Sequence, residues 1–328
     1  MKRSLLAAFS IFFTLMGPAY AEQSADEILK AIVKIKARIP ESAFTARTLG
    51  TEREGNGVVI DSKGHILTIG YLIIEAETLE VTTEEGKTIR ASFVGYDHDS
   101  GFGLLKTNQP LSIKPMKLGK SSEVKQGDPI LMAGYGGTES VQAGRVLARK
   151  EFAGYWEYLL EDAIYTAPAH TGFGGAALID PDGKLVGIGS LLTQVIIPGF
   201  GSISCNISVP IDLLHPILAD LIAKGRTSAA PRPWLGLNAE EAHGRVFILR
   251  ITSGGPAEKA GLQSEDMVLS VKGEEVKGLA DLYRRVWALG NAGVEVPLGI
   301  LRGTRIRNIT VKSVDRNQLL RQSRMKEL

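Results

Sequence analysis

The sequence feature that most restricts the fold is a succession of short apolar segments between residues 54 and 210, separated by glycine-rich turns. Short segments at this spacing are typical of strands in an antiparallel all-β domain. The predicted strands are Gly57–Ile60, Ile66–Ile69, Leu79–Thr82, Ala91–Tyr96, Gly103–Thr107, Pro129–Ala133, Val141–Arg149, Trp156–Tyr165, Ala176–Leu178, Leu185–Leu192 and Ser202–Val209. A run from Ala31 to Ile39, in which apolar and basic residues alternate, predicts a further strand ahead of them.

Residues 1–21 have the features of a secretory signal peptide. Two basic residues precede an apolar run from Leu5 to Met16, and Ala19-Tyr20-Ala21 provides a small-residue cleavage site. The run is too short for a membrane-spanning helix and no cysteine follows it directly, so we expect no stable membrane anchor. The chain is therefore predicted to be exported.

The charge balance argues against a nucleic-acid partner. The chain has 38 Lys and Arg residues against 36 Asp and Glu residues, and the predicted signal peptide contains two of the basic ones. The remaining chain is formally neutral, so it lacks the basic excess that binds a phosphate backbone. Cys205 is the single cysteine, which excludes an intramolecular disulfide.

The chain is predicted to consist of five parts, and the linker among them is identified by its composition. They are the signal peptide (1–21), a strand-rich domain (22–223), a linker (224–231), a second domain (232–315) and a C-terminal tail (316–328). Ser24 to Glu27 has the pattern of a helix capping box, at the start of a short helix or of a segment that leads into the first strand. Apolar residues at helical spacing predict an amphipathic helix from Ile211 to Ala223, at the end of the strand-rich domain.

Three motifs resemble the catalytic motifs of HtrA/Deg-type trypsin-like serine proteases, but each lacks its catalytic residue. Residues 172–178 read Gly-Phe-Gly-Gly-Ala-Ala-Leu where the family has G-N-S-G-G-A-L, so Gly174 stands at the position of the nucleophilic serine. Residues 66–71 match I-L-T-x-x-H except at the histidine, whose position holds Tyr71. Residues 94–106 resemble V-G-x-D-x-x-S-D-x-A-x-L-K, with Gly101 in place of the catalytic aspartate.

These substitutions predict that the site does not cleave peptide bonds. A serine hydroxyl becomes a nucleophile when a hydrogen-bonded imidazole takes its proton and a carboxylate orients that imidazole. In a protease with this triad, the loss of these groups lowers turnover by about a millionfold. Tyr71 does not replace the histidine as a base, because a tyrosine pKa of about 10 keeps the phenol protonated at neutral pH.

Polar residues elsewhere are weaker candidates for a displaced catalytic or metal site. They are His170, Thr171 and Ser190 near the glycine loop, the run Asp97-His98-Asp99, His65, and Cys205. Turn polarity accounts for the first group, and neighbouring residues on an extended strand point to opposite faces, so the acidic run is not expected to bind an ion. His65 follows a turn glycine and is predicted to be solvated, whereas Cys205 lies in an apolar run and is predicted to be a core residue. We therefore expect no metal and no cofactor.

Residues from Trp234 onward resemble a bacterial PDZ domain. Trp234-Leu235-Gly236-Leu237 corresponds to the loop that binds a terminal carboxylate. Residues 253–262 resemble the S-P-A-x-x-A-G-L helix, and residues 266–273 resemble the turn that follows it, except that Glu265 replaces a glycine. Leu279–Leu289 corresponds to the helix that borders the peptide groove.

The resemblance implies peptide binding by strand addition. An extended peptide would pair with the strand after the loop, and its terminal carboxylate would accept hydrogen bonds from the loop N–H groups. The predicted peptide-binding residues are Trp234, Leu235, Gly236, Leu237, Leu282 and Val286. Two alternatives remain open: the apolar members of this set are PDZ core residues, or the groove is occupied by the protein itself.

Together the resemblances imply a mainly β protein, in which a trypsin-like double six-stranded β-barrel precedes an α+β PDZ domain. The leading hypothesis is a catalytically inactive, periplasmic HtrA-like protein that binds protein C termini or unfolded polypeptides. It would act as a chaperone-like holder, a scaffold or a modulator of active HtrA relatives. The alternative is a periplasmic serine endopeptidase of protein quality control with an unrecognised nucleophile.

A third hypothesis makes the barrel itself the interaction surface, with Tyr71 and Phe173 filling the old cleft. The family also implies a homo-oligomer, because its members assemble as trimers through N-terminal aromatic contacts. Phe44 is the candidate for such a contact in this chain.

Overall fold

A computed structural model describes residues 24–197 and 201–325, so the predicted signal peptide lies outside the described residues. The first domain begins with a short helix, α1 (Ala25–Lys30), and a six-stranded barrel follows. The strands of this barrel are β1 (Ile32–Arg38), β2 (Glu52–Val59), β3 (His65–Ile69), β4 (Thr78–Thr82), β5 (Thr88–Tyr96) and β6 (Phe102–Thr107), with helix α2 (Ala46–Leu49) between β1 and β2. They close in the order β1-β2-β3-β6-β5-β4, and all pairs are antiparallel.

A second closed barrel follows with the strand order β10-β11-β12-β9-β8-β7. Its strands are β7 (Pro129–Ala133), β8 (Val141–Gly154), β9 (Tyr158–Ala167), β10 (Ala177–Ile179), β11 (Leu185–Ile197) and β12 (Gly201–Pro210). Every strand predicted from the apolar segments is present at its expected place, and the prediction of a double six-stranded barrel is confirmed. Closure pairs the strand edges that an open sheet would leave free to aggregate.

The second domain has a sheet in the order β13-β14-β15-β17-β18, with β16 paired to β15. Its elements are β13 (Leu237–Ala242), β14 (Arg245–Ile251), α4 (Pro256–Lys259), β15 (Met267–Val271), β16 (Glu274–Glu275), α5 (Leu279–Ala288), β17 (Glu295–Arg302) and β18 (Arg305–Lys312). Helix α6 (Arg316–Met325) occupies most of the predicted tail. Because β13 lies at the edge of the sheet, its outer backbone groups are available to another segment.

The predicted helix from Ile211 to Ala223 is wrong in its first half. The structure has a single 3-10 turn at Ile211–Leu213, and the α-helix, α3, covers only Leu218–Lys224. Pro216 explains the interruption, because proline has no N–H to donate and disfavours the helical conformation of the residue before it. At the other end of the domain the capping box is confirmed, since Ser24 and Glu27 each accept a hydrogen bond from the other residue's N–H group.

The prediction that His65 is solvated is also wrong. The side chain is buried, with 4% exposure, and its Nδ1 lies 2.6 Å from a carboxylate oxygen of Asp61. The same carboxylate accepts a hydrogen bond from the backbone N–H of Lys63. The turn therefore folds back on the histidine and shields it from water, which sequence position alone did not show. Cys205 is fully buried, as predicted.

The described residues form three hydrophobic clusters. The largest is shared by the two barrels, a second fills the second domain, and a small third one lies within the second barrel. Leu159, on β9 of the second barrel, belongs to the core of the second domain, so the domains pack directly on each other. Within the described ranges, no helix has the length and apolar character needed to cross a lipid bilayer.

The buried Asp266 gives a test of the second domain. Its carboxylate is fully buried, accepts two hydrogen bonds of 2.7 Å from Arg302, and caps the backbone N–H of Gln263 at 2.8 Å. We expect Asp266→Ala to destabilise the protein by about 2 kcal/mol, because the partly buried Arg302 guanidinium and the Gln263 N–H lose their charged acceptor. Thermal unfolding of the whole chain measures the effect.

A matched control is Asp182→Ala, which removes an exposed carboxylate that pairs with Lys184. This variant is expected to change stability by less than about 0.5 kcal/mol. Equal melting temperatures for Asp266→Ala and the parent protein would show that the buried pair does not hold the domain together.

Candidate functional site

Two of the three vacated catalytic positions lie side by side between the barrels. Tyr71 is in a 3-10 turn after β3, Gly70–Leu72, and Gly174 is in the loop between β9 and β10. A Cβ atom on Gly174 would lie 3.0 Å from the Tyr71 hydroxyl. The fold therefore brings these two positions together, as a catalytic pair requires.

The third position, Gly101, lies on the same side of the cleft. Its carbonyl accepts a hydrogen bond of 2.8 Å from the N–H of Gly70, next to Tyr71. Its φ of 82° is left-handed, a conformation that favours glycine, and an added Cβ would lie 3.1 Å from the Tyr158 hydroxyl. That hydroxyl donates to the Ser100 carbonyl at 2.6 Å. A carboxylate side chain at position 101 would therefore meet both backbone strain and an occupied space.

Tyr71 is held as a hydrogen-bond donor. Its hydroxyl donates to the Ser190 carbonyl at 2.9 Å. Burial raises the pKa of Tyr71 further above its ordinary value. The phenol is therefore protonated near neutral pH and does not act as a general base.

The glycine loop keeps its close contact with the first barrel despite the missing groups. Asn56, on β2, donates from its backbone N–H to the Gly174 carbonyl at 2.8 Å, and from its side chain to the Gly172 carbonyl at 2.8 Å. Gly175 has a φ of 75°, and an added Cβ would lie 1.9 Å from the Asn56 carbonyl oxygen. Glycine is therefore required at position 175 by close backbone approach, so the frame of the cleft is intact.

The polar residues considered as alternatives do not form a second catalytic set. His170 Nε2 lies 3.0 Å from the Ser140 carbonyl, and its backbone is fixed by Asn206 through hydrogen bonds of 2.7 and 3.1 Å. Thr171 is exposed, and Ser190 is buried with its carbonyl bound to Tyr71. Burial raises the pKa of the Cys205 thiol, which disfavours the reactive thiolate.

The run from Asp97 to Asp99 does not converge on one point. The Asp97 carboxylate accepts hydrogen bonds from Ser100, whereas His98 Nε2 lies 3.1 Å from the Asn317 side-chain oxygen. Burial lowers the pKa of His98 well below its ordinary value. In the part of the chain that the structure describes, no group of three His, Cys, Asp or Glu residues could hold a metal ion.

The cleft opens into a cavity of about 660 Å³ between the barrels and the second domain. Tyr71 and Phe173 line this cavity on the barrel side, and Trp234 and Leu237 line it on the other. Tyr71 and Phe173 therefore narrow the cleft at the former catalytic positions without filling it. Phe44 also lines the cavity and meets the Trp234 ring edge-on at 6.4 Å within the same chain.

The loop Trp234–Leu237 holds a carboxylate from the second barrel. The backbone N–H groups of Leu235, Gly236 and Leu237 donate to the Glu157 carboxylate at 2.9, 2.8 and 3.0 Å. Gly236 has a left-handed φ of 78°, which helps to turn successive N–H groups toward one point. The loop is thus a preformed carboxylate receptor, and a side chain of the same protein occupies it.

Glu157 lies in the three-residue turn, Tyr155–Glu157, that joins β8 to β9. Its φ is 58°, in the left-handed region that such turns usually give to glycine. Burial raises the pKa of Glu157 to about 7, against the lowering effect of the loop amides and of Arg316. A costly backbone conformation and a buried acid at one position are typical of a functional residue.

The remaining predicted groove residues are buried in the second domain. Leu235, Leu237, Leu282 and Val286 have exposures of 2% or less and share one hydrophobic cluster with Leu159 of the second barrel. The β8–β9 hairpin packs on this cluster through Leu159, and Leu237 also lines the cavity between the domains. Trp234 is likewise buried, and the Arg316 guanidinium lies 5.8 Å from its ring centre.

Sequence reasoning missed Glu157, although it predicted the loop that binds it. Residues 157 and 235 are 78 positions apart and belong to different domains. The only local signal was a glutamate in place of glycine in a tight hairpin turn, and the turn itself had not been located.

Comparison with known proteins supports both domains. Residues 55–188 match the trypsin-like peptidase domain, and residues 233–313 match the PDZ domain. The chain is similar to the chloroplastic Protease Do-like 1 of Arabidopsis thaliana, with 30% identity over 83% of this chain and 66% of the relative. It is also similar to the periplasmic pH-dependent serine endoprotease DegQ of Escherichia coli, with 27% identity over 76% of this chain and 56% of the relative.

A probable periplasmic DegP-like endoprotease of Bartonella henselae is 28% identical over 79% of this chain and 52% of its own length. The chain thus spans between about half and two thirds of these curated relatives. Among solved structures, the HtrA-type protease AlgW with a decapeptide has a TM-score of 0.54 and 21% identity, over 89% of this chain and 98% of the other. This likeness supports the order of barrels and PDZ domain.

Restoring a serine to the cleft tests the account of the missing triad. We expect a Gly174→Ser variant to remain unlabelled by a fluorophosphonate probe, because its hydroxyl would face the protonated Tyr71 phenol and no imidazole. The double variant Tyr71→His, Gly174→Ser is the comparison, since it adds the general base as well as the nucleophile but no carboxylate to orient the imidazole. Labelling of the parent protein, traced by mass spectrometry to one residue, would reveal a nucleophile elsewhere.

The raised pKa of Glu157 predicts a pH-dependent stability. The carboxyl has a pKa of about 7 in the folded chain and 4.5 ordinarily, so its stabilising contribution is complete below pH 4.5 and is lost as the pH rises through 7. The difference amounts to about 3 kcal/mol. Arg316 and Tyr283 face the carboxyl, and His98, Asp99 and Asp315 line the same interdomain pocket.

Melting temperatures of the parent and Glu157→Gln proteins at pH 5 and pH 8 provide the measurement. Between these values the parent is expected to lose stability relative to the Gln variant, which keeps an acceptor but does not titrate. If the melting temperatures of the two proteins differ by the same amount at both pH values, the raised pKa of Glu157 is contradicted.

Proposed function

Because the chain belongs to the HtrA family, with a trypsin-like peptidase domain followed by a PDZ domain, we propose that it is a member without peptidase activity that binds polypeptides. The ligands are the C termini or unfolded segments of other proteins. The relatives named as periplasmic support the same compartment for this chain, in agreement with the export signal expected at residues 1–21.

Three positions lack the groups that hydrolysis by the family mechanism requires. Gly174 has no hydroxyl, Tyr71 is a protonated donor, and Gly101 has neither a carboxylate nor room for one. The surrounding frame is preserved, so the missing groups are not compensated by a rearranged loop. A hydrolytic mechanism of the family type has no nucleophile, no base and no orienting group here.

Polypeptide binding is carried by one observation, the convergence of three loop N–H groups on a carboxylate. Each donor is backbone, so the receptor recognises the carboxylate without reference to the residue that bears it. A protein C terminus presents the same group at the end of an extended strand, and β13 is the edge strand beside the loop, the position at which a peptide strand adds to a sheet. The decapeptide in the similar AlgW structure is consistent with this mode.

Binding without cleavage suits a holder of unfolded or mislocalised proteins in the cell envelope. The aromatic cavity next to the loop provides apolar surface for such segments. The holder would work alone or together with active HtrA relatives. Trimer formation through Phe44 stays a prediction.

Reduced, carboxymethylated casein tests both parts of the proposal. After overnight incubation we expect intact casein, with part of it co-eluting with the protein in size-exclusion chromatography. Folded lysozyme serves as the negative control for binding and an active HtrA-type protease as the positive control for cleavage. Fragments whose yield survives a second purification step and scales with the protein would disprove inactivity, and the absence of any complex would disprove the holding role.

A further inference from the structure

We infer that the β8–β9 hairpin is an internal ligand of the PDZ groove, in which the Glu157 side chain takes the place of a C-terminal carboxylate. An external polypeptide then binds by displacing the hairpin. This inference rests on the proposed function. It identifies the hairpin as the segment that competes with external polypeptides for the groove. The hairpin contacts both walls of the groove and its apolar floor.

The first wall of the groove, strand β13, pairs with the hairpin through its backbone. The Ala239 N–H donates to the Tyr155 carbonyl at 2.9 Å, two residues beyond the Leu237 N–H that binds Glu157. A bond to the outer edge of a sheet, next to a carboxylate in the loop, is the pattern of strand addition by a peptide ligand. The turn thus reproduces the C-terminal end of a bound peptide.

The second wall, helix α5, also binds the hairpin. The Tyr283 hydroxyl donates to the Gly154 carbonyl at 2.8 Å and accepts from the Glu157 N–H at 3.2 Å. The neighbouring Arg284 forms ion pairs with Glu151 and Glu161, one on each strand of the hairpin. Both walls therefore hold the same segment, as they would hold a ligand lying between them.

The apolar floor of the groove is covered by the same hairpin. Leu159 is 5% exposed and packs in one cluster with Leu235, Leu237, Leu282 and Val286. A carboxylate in the loop with a leucine side chain on the floor is the combination that a polypeptide ending in leucine would present. The internal ligand therefore indicates the chemistry of the external one: a free α-carboxylate on an apolar final residue.

The turn is built so that the internal ligand can be displaced. Glu157 adopts a left-handed backbone with a φ of 58° and keeps its carboxyl buried, and both features oppose the docked state. The hairpin is covalently tethered, so it competes at a high effective concentration and lowers the apparent affinity of any external ligand. Removing the carboxylate should therefore strengthen external binding.

Glu157→Gly is the variant that separates these effects. Glycine accepts the left-handed turn, so the hairpin keeps its conformation while the internal carboxylate is lost. Glu85→Gln is the matched control, because Glu85 is an exposed glutamate in the turn between β4 and β5, in the first barrel. Both variants are made in the full chain.

The probes are a fluorescein-labelled decapeptide ending in Ala-Leu with a free carboxylate, and the same peptide with a C-terminal amide. Fluorescence anisotropy should show that Glu157→Gly binds the acid peptide at least about tenfold more tightly than the parent does. The amide peptide should show no such gain, and Glu85→Gln should match the parent. Equal affinities of parent and Glu157→Gly for the acid peptide, or an equal gain for both peptides, would overturn the inference.

Hydrogen exchange provides a readout that needs no peptide. In Glu157→Gly the amides of residues 235–237 should exchange faster than in the parent, because they lose their shared acceptor. Unchanged exchange would overturn the internal ligand itself. Faster exchange without binding of either peptide would support the internal ligand and disprove the proposed polypeptide binding, so the two failures are distinguishable.

Discussion

The carboxylate of Glu157 is the contact on which the arrangement of the two domains depends. It satisfies three N–H groups of the PDZ loop that would otherwise be buried without acceptors. Because it is itself buried, each partner stabilises the other only while the domains remain docked. The Glu157 carboxylate is enclosed by the β8–β9 hairpin, helix α5 and the apolar cluster that contains Leu159. The domain interface is therefore centred on a carboxylate-binding loop, which a peptide ligand would also use.

The barrel domain keeps the frame of the cleft although glycine or tyrosine occupies the three positions of the family's triad. Asn56 and Gly175 hold the glycine loop against the first barrel, through the Asn56 side-chain amide and through close backbone contacts, and neither involves a serine hydroxyl. The Tyr71 phenol uses the space beside Gly174 and donates to the Ser190 carbonyl. Packing and hydrogen bonding thus stabilise the cleft independently of catalysis, and the domain remains a platform that positions the hairpin and its glutamate.

Most of the fold could be predicted from local pattern. The strands followed from short apolar segments between glycine turns, since each strand's burial is recorded in its own residues. The helix after Ile211 was predicted too long because periodicity outweighed Pro216, and His65 was wrongly predicted to be solvated because its partner Asp61 closes the turn over it. The carboxylate loop was found by motif, but its occupant was not, because nothing near Glu157 in the chain points to Leu235.

Residue identity alone showed that Gly174, Tyr71 and Gly101 stand where the family motifs have serine, histidine and aspartate, and a glycine has neither a hydroxyl nor a carboxylate. Which segment fills the PDZ groove was a matter of docking: three N–H groups converge on a carboxylate only after the loop and a distant hairpin turn are brought together in space. This convergence exists only in the packed domains, because neither the loop nor the hairpin turn forms the carboxylate contact by itself.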